Sequence, residues 1–102
     1  MNNKLRILTG IVIDPGHGGS DPGATGNNQL EKDYSLKISK YMYDRFKQLG
    51  VPVTLTRDTD ITLNPKERTS RILDAYGDND NVIVVSNHLN AGGGDSHCVT
   101  NV

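Results

Sequence analysis

The sequence predicts an α/β fold: a parallel twisted sheet with flanking helices, in the order strand, helix, strand, helix, strand. Two unbroken β-branched runs carry the prediction, Ile11-Val12-Ile13 and Val82-Ile83-Val84-Val85. Apolar residues on both faces mark a strand covered above and below, as in parallel sheets. A third observation is the chain between them, which holds two helix-period segments and one shorter apolar–polar alternation. Short connections turn that order into a parallel sheet with helices packed on it.

The first strand is expected to begin near Leu5 and end at Ile13. Residues 14–29 hold glycines at 16, 18, 19, 23 and 26 and prolines at 15 and 22, so they read as a loop. A helix is predicted from about Leu30 to Leu49, with Tyr34, Ile38, Tyr41, Met42 and Leu49 on its sheet-facing side. Gly50 suits the position just past its end. Val51 to Thr56 alternates apolar with polar, and Pro52 lacks a ladder donor, so this strand belongs at a sheet edge. After a loop from Arg57 to Leu63, Asn64 is an N-cap, Pro65 takes the first helical position, and Glu67 stands where a capping box needs it. That helix is expected to run to about Tyr76, and Glu67, beside Arg68, reads as structural. Gly77 to Asp80 is a turn, Asn81 to Asn87 a fully buried strand, and Ala91 to Asp95 a loop.

A length of 102 residues bounds the chain to one small domain. With 34% apolar and 23% charged residues, it has enough apolar material for a core and too much for a disordered tail. The net charge of −1 and the lack of a basic run give no reason to expect a nucleic-acid partner. The single cysteine, Cys98, leaves no disulfide within the chain and no cysteine-based zinc site. No apolar stretch is long enough for a membrane span. Met1 to Gly10 lacks an apolar h-region, so synthesis in the cytoplasm without a signal peptide is expected.

In an open parallel sheet, ligands bind outside the carboxyl ends of the strands. His17 follows the first strand and His88 the third. Glu31 lies in the first turn of the first helix, which starts at the same edge because the helix runs back antiparallel to the strand before it. The three side chains should therefore converge. Glu31 is also seven residues before Ile38, on the sheet-facing side, where an unpaired carboxylate is costly and a cation would offset the cost. Two His and one carboxylate with an open fourth position form a catalytic zinc set. Competing readings stand beside this one. A single His is more often a hydrogen-bonding or surface residue, and a first-turn Glu often only complements the helix dipole. The glycine loop alone could cradle a phosphate. Gly16 to Ser20 contains no Walker A ending, however, and Asp21 occupies the last glycine slot of a dinucleotide fingerprint. Spacing favours zinc over phosphate.

Four motifs occur in order: Ile11-Val12-Ile13-Asp14-Pro15-Gly16-His17-Gly18-Gly19 with Asp21-Pro22-Gly23-Ala24; Glu31-Lys32-Asp33 with Leu36; Thr56-Arg57-Asp58-Thr59-Asp60 with Glu67-Arg68; and Ser86-Asn87-His88-Leu89-Asn90-Ala91. Together they resemble the amidase-3 family of N-acetylmuramoyl-L-alanine amidases. The resemblance implies Zn²⁺ held by His17, Glu31 and His88. It implies hydrolysis of the amide between N-acetylmuramic acid and L-alanine, with peptidoglycan as partner. The family includes autolysins and phage endolysins, so the expected site of action is the cell wall, reached through a holin or lysis.

By the same resemblance, residues 1–95 are the N-terminal part of the catalytic domain, and residues 96–102 match no family motif. The family's catalytic glutamate, a general base and later acid, is expected beyond the end of this chain, so no catalytic residue is assigned within it. His97 and Cys98 receive no role. Such a shortened domain would leave the third strand as a bare edge open to self-association. The alternative is a non-catalytic zinc- or cell-wall-binding module, which needs the same three ligands and no general base.

Overall fold

The computed structural model describes residues 8–89 and 98–99. Its main sheet is built around strand β1, Gly10–Pro15, which is buried along its whole length as its unbroken apolar run predicts. Two short strands, β2 (Thr25–Gly26) and β3 (Gln29–Leu30), precede helix α1, Glu31–Gln48. Strand β4 is Val53–Leu55, helix α2 is Pro65–Tyr76, and strand β5 is Val82–Leu89. A last strand, β6, is Cys98–Val99. The order in the sheet is β4-β1-β5-β6. β4 and β5 both pair parallel with β1, in register Ile11 with Val53 and with Ile83. β6 adds antiparallel to the end of β5, through His88 and Leu89.

The expected α/β architecture is present, and β4, one residue after Pro52, lies at the edge of the sheet among the described residues. The two helices lie on opposite faces of the sheet. α1 covers the face of Ile11 and Ile13, where Met42 and Phe46 pack against the core formed with Val53. α2 covers the other face: Tyr76 lies against Gly10 and meets Thr54 through their hydroxyls at 2.8 Å, and Arg68 reaches Asp14.

The helix ends follow local chemistry. Asn64 accepts from the Glu67 amide at 2.8 Å, and the Glu67 carboxylate accepts from the Asn64 amide at 3.0 Å, a complete capping box. At the end of α1, Gly50 adopts φ 76. This lets the Val51 amide bond Phe46 O at 2.9 Å and the Gly50 amide bond Lys47 O at 3.0 Å, a Schellman closure. The start of α1 has no side-chain cap. Its Glu31 and Lys32 amides bond instead to the carbonyls of Ala24 and Pro22, which moors the glycine-rich loop to the helix.

Four details differ from the sequence reading. β1 begins at Gly10, and Leu5 lies outside the described residues. The loop contains a hairpin whose turn, Asn27-Asn28, has φ 50 and 62, the left-handed pair that a tight hairpin requires and asparagine tolerates. The buried stripe of α1 is Glu31, Ser35 and Ser39, while Tyr41 and Leu49 are exposed. The stripe is polar because it meets polar groups: Ser35 Oγ donates to Gly16 O at 2.6 Å, and Asn87 Nδ2 donates to Ser39 Oγ at 2.9 Å. Val82 to Val85 are half-buried rather than fully buried, and β5 extends two residues further, to include His88. Residues 91–95 and His97 lie outside the described residues.

Candidate metal centre

The centre forms where β1 and β5 end and α1 begins. Beyond β1 the chain turns sharply, and His17 adopts φ 60, in the left-handed region that few residues with a Cβ occupy. This turn aims its ring at α1. Glu31, the first residue of that helix, is 5% exposed. His88 arrives on the last residues of β5. The three residues expected to converge do so: one ligand atom from each lies within 4.8 Å of the others. His17 Nε2 is 3.0 Å and His88 Nδ1 3.2 Å from the same oxygen, Glu31 Oε2. The two rings meet edge to face, with centroids 5.1 Å apart. Gly16 makes room for them. A Cβ there would lie 2.5 Å from His88 Cε1 and 2.8 Å from the carbonyl oxygen of Asn87.

Hydrogen bonds decide the electrostatics. Burial pushes the Glu31 pKa up. The amides of Ala24 and Leu89, then the two histidines, more than offset this and leave it below its ordinary value. The Ala24 amide donates to Oε1 at 2.9 Å and the Leu89 amide to Oε2 at 3.0 Å. His17 Nδ1 lies 2.9 Å from Asp21 Oδ2. The His17 hydrogen bond is the main cause of the lowered Asp21 pKa, helped by the Gly23 amide. With Nδ1 donating to Asp21, Nε2 of His17 meets the carboxylate oxygen either through a second ring proton or with a bare lone pair. Two lone pairs at 3.0 Å repel unless a cation or proton stands between them. The donor set fits a metal ion. Ligand atoms on a tetrahedral zinc with bonds of about 2.0–2.1 Å are roughly 3.3 Å apart, close to both observed separations. A His whose second nitrogen is held by a carboxylate is also the usual support for a metal-bound imidazole.

The sequence profile described as "Amidase_3: N-acetylmuramoyl-L-alanine amidase" matches residues 11–100. The chain belongs to this family. Among curated relatives, YqiI of Bacillus subtilis (strain 168) is 37% identical over 82 residues, covering 80% of this chain and 38% of YqiI. The probable cell wall amidase LytH of Staphylococcus aureus is 44% identical over 69 residues, 65% of this chain and 23% of LytH. Among solved structures, the N-acetylmuramoyl-L-alanine amidase AmiC2 of Nostoc punctiforme superposes with a TM-score of 0.70 at 37% identity, covering 86% of this chain and 46% of AmiC2. The chain thus spans less than half the length of each of these relatives. The enzymes of this amidase family are hydrolases, and their fold agrees with the parallel β4-β1-β5 sheet and flanking helices seen here.

Other residues around the candidate centre were given no role from the sequence. Asp21 orients His17 from four residues away, across the turn that Gly18 and Gly19 allow. Asp14 is buried at the end of β1 and accepts from Thr56 Oγ1 at 2.7 Å, Ser86 Oγ at 2.8 Å and Arg68 Nη1 at 2.6 Å. Arg57 is 2% exposed, and burial, then the charge of Arg68, lowers its pKa. Lys32 Nζ bridges Gly19 O and Asp60 Oδ2, both at 2.9 Å, and ties the loop after β4 to the loop after β1. All of these residues lie within the four motifs, but motif membership gave no partner for any of them, because most of their contacts join segments far apart in sequence. No described helix is long and apolar enough to cross a membrane.

Proposed function

We propose that this chain carries the metal-binding part of a zinc-dependent N-acetylmuramoyl-L-alanine amidase acting on peptidoglycan at the cell wall, with His17, Glu31 and His88 as ligands. The observation that carries the reading is the approach of two imidazole nitrogens, at 3.0 and 3.2 Å, to one oxygen of a buried carboxylate. The names of LytH and AmiC2 support the substrate class. Bound there, zinc would polarise the scissile carbonyl and acidify a water molecule. The protein's own groups prepare the place. Asp21 holds the Nδ1 proton of His17 and leaves Nε2 free. The Ala24 and Leu89 amides keep Glu31 ionised and aimed. The His17 and His88 side chains are 25% and 37% exposed, which leaves one side of the centre open to a substrate.

Hydrolysis also needs a general base. Glu67 is tied into the α2 capping box, and Asp21 is tied to His17. No further carboxylate joins the ligand group among the described residues. Residues 1–95 are therefore read as the metal-binding portion of the amidase domain, with no general base assigned within them and no role given to residues 96–102. We also propose that the outer edge of β5 pairs with a second copy of the chain.

Metal analysis after dialysis tests the centre. The chain should retain about one Zn²⁺, and His17→Ala and His88→Ala should each lose it; unchanged zinc in both variants refutes the assignment. A missing acid–base group typically removes about 10²–10⁴-fold in rate. The 102-residue chain should therefore release no measurable L-alanine amino ends from peptidoglycan, under conditions where AmiC2 is assayed in parallel. Zinc-dependent release by this chain would place a base within it.

A further inference from the structure

Three consecutive carbonyls, those of Pro15, Gly16 and His17, accept hydrogen bonds from two guanidinium groups. Arg57 donates from Nε to His17 O at 2.8 Å and from Nη2 to Gly16 O at 2.9 Å. Arg68 donates from Nη1 to Pro15 O at 2.7 Å and from Nη2 to His17 O at 3.1 Å. The His17 carbonyl is thus gripped from both sides, at the residue whose φ is 60. A left-handed backbone at a residue with a Cβ costs energy and persists only where its surroundings over-determine it. The two arginines supply that determination.

Their other bonds show why arginine is used. Arg57 reaches no carboxylate in the described structure. Its Nη1 donates to Thr59 O at 2.9 Å, and Nη2 also lies 3.1 Å from Lys32 O and 3.3 Å from Ser35 Oγ. A buried cation satisfied by neutral acceptors gains nothing from a close ion pair. What it provides is geometry, because the planar fork holds several oxygens at fixed angles. Arg68 adds a bond to Asp14 at 2.6 Å, which locks its own plane against the buried end of β1.

We propose that Arg57 and Arg68 are positioning residues for the metal centre. They hold the peptide after His17 so that the residue stays left-handed and its Nε2 faces Glu31 Oε2. The proposal rests on the reading of His17 as a metal ligand.

The test uses the full chain and the variants Arg57→Lys and Arg68→Lys, which keep the charge and lose the fork. Arg71→Lys is the control, because Arg71 also donates to a carbonyl, Thr56 O at 2.7 Å, away from His17. Two quantities are read. The first is Co²⁺ affinity by chelator competition. The second is the His17 backbone conformation in the metal-free chain, from NMR coupling constants and carbon shifts. Arg57→Lys and Arg68→Lys should weaken Co²⁺ binding on the order of ten-fold or more and erase the left-handed signature of His17. Arg71→Lys should do neither, whatever it does to the melting temperature. Retention of the left-handed signature in both test variants overturns the proposal. So does an affinity loss that Arg71→Lys reproduces. If the unsubstituted chain binds no Co²⁺ or Zn²⁺, the metal reading fails, and the backbone signature still judges the clamp. Should Arg57→Lys fail to fold, Arg68→Lys carries the test, since Arg68 is held by α2 and its side chain is partly exposed.

Discussion

At the scale of single residues, the centre depends on how closely chain segments approach one another. Gly16 is one such close approach, because the His88 ring and the Asn87 carbonyl occupy the space a Cβ would need. The ring could rotate away, but the carbonyl belongs to a strand paired along β1 and cannot move cheaply. Gly16→Ala should therefore destabilise the fold by about 1–3 kcal/mol, the usual range for overpacking. It should also displace His88 from Glu31. Urea denaturation read beside zinc content checks both effects. A variant with unchanged midpoint and full zinc would show that the strand ends yield more easily than the geometry indicates.

At the scale of elements, the two helices start in different ways. α1 borrows its cap from the glycine-rich loop, through the carbonyls of Pro22 and Ala24, so its first turn and the centre share one set of bonds. α2 terminates itself with the Asn64–Glu67 box and has no buried residue of its own. Its start is held by this local cap, and its face by the polar contacts of Arg68, Arg71 and Tyr76. Asn64→Ala should cost about 0.5–2 kcal/mol, read as a lower urea midpoint with an unchanged slope. An unchanged midpoint would mean that Arg68 and Tyr76 anchor the helix without the cap.

At the scale of the whole molecule, charge and coverage set the limits. Asp60 has a lowered pKa, first because Lys32 donates to it and then because the Gly19 amide does. The Glu31 pKa is lowered despite its burial. Their ordinary values are 3.8 and 4.5, and both folded values lie below these. The unfolded chain therefore binds more protons in that interval, and stability rises with pH through it. The contribution is present above the ordinary values and is lost as pH falls through the folded ones. The urea midpoint should be flat near neutrality and should fall below about pH 4.5, and Asp60→Asn should reduce the slope; a midpoint unchanged down to pH 3 contradicts this. Coverage is the second limit. From Val82 to Asn87, the side of β5 away from β1 has no strand partner among the described residues, and it carries neither Pro nor Lys to block pairing. Sedimentation should show association that rises with concentration and is suppressed by Val84→Lys. A monomer at all concentrations would refute edge pairing.

Features set by neighbours in sequence were legible without a fold. The β-branched runs of β1 and β5, the Asn64-Pro65 helix start and the stop at Gly50 depend on a residue's own conformational preferences and those of residues a few places away. The approach of His17, Glu31 and His88 was legible too, because chain order and strand direction alone bring those three points to one sheet edge. Features set by distant contacts were hidden. Helical spacing defined stripes on α1 but could not show that Ser35 and Ser39, rather than Tyr41 and Leu49, face the sheet, because that choice depends on the polar groups of Gly16 and Asn87 opposite. The half-burial of Val82 to Val85 depends on what covers the strand, which its apolar run does not encode. The grip of Arg57 and Arg68 on the His17 carbonyl joins the end of β1 to side chains 40 and 51 residues further on. A cation's partners are chosen by the folded distance between chain segments, and only the packed sheet and helices set that distance.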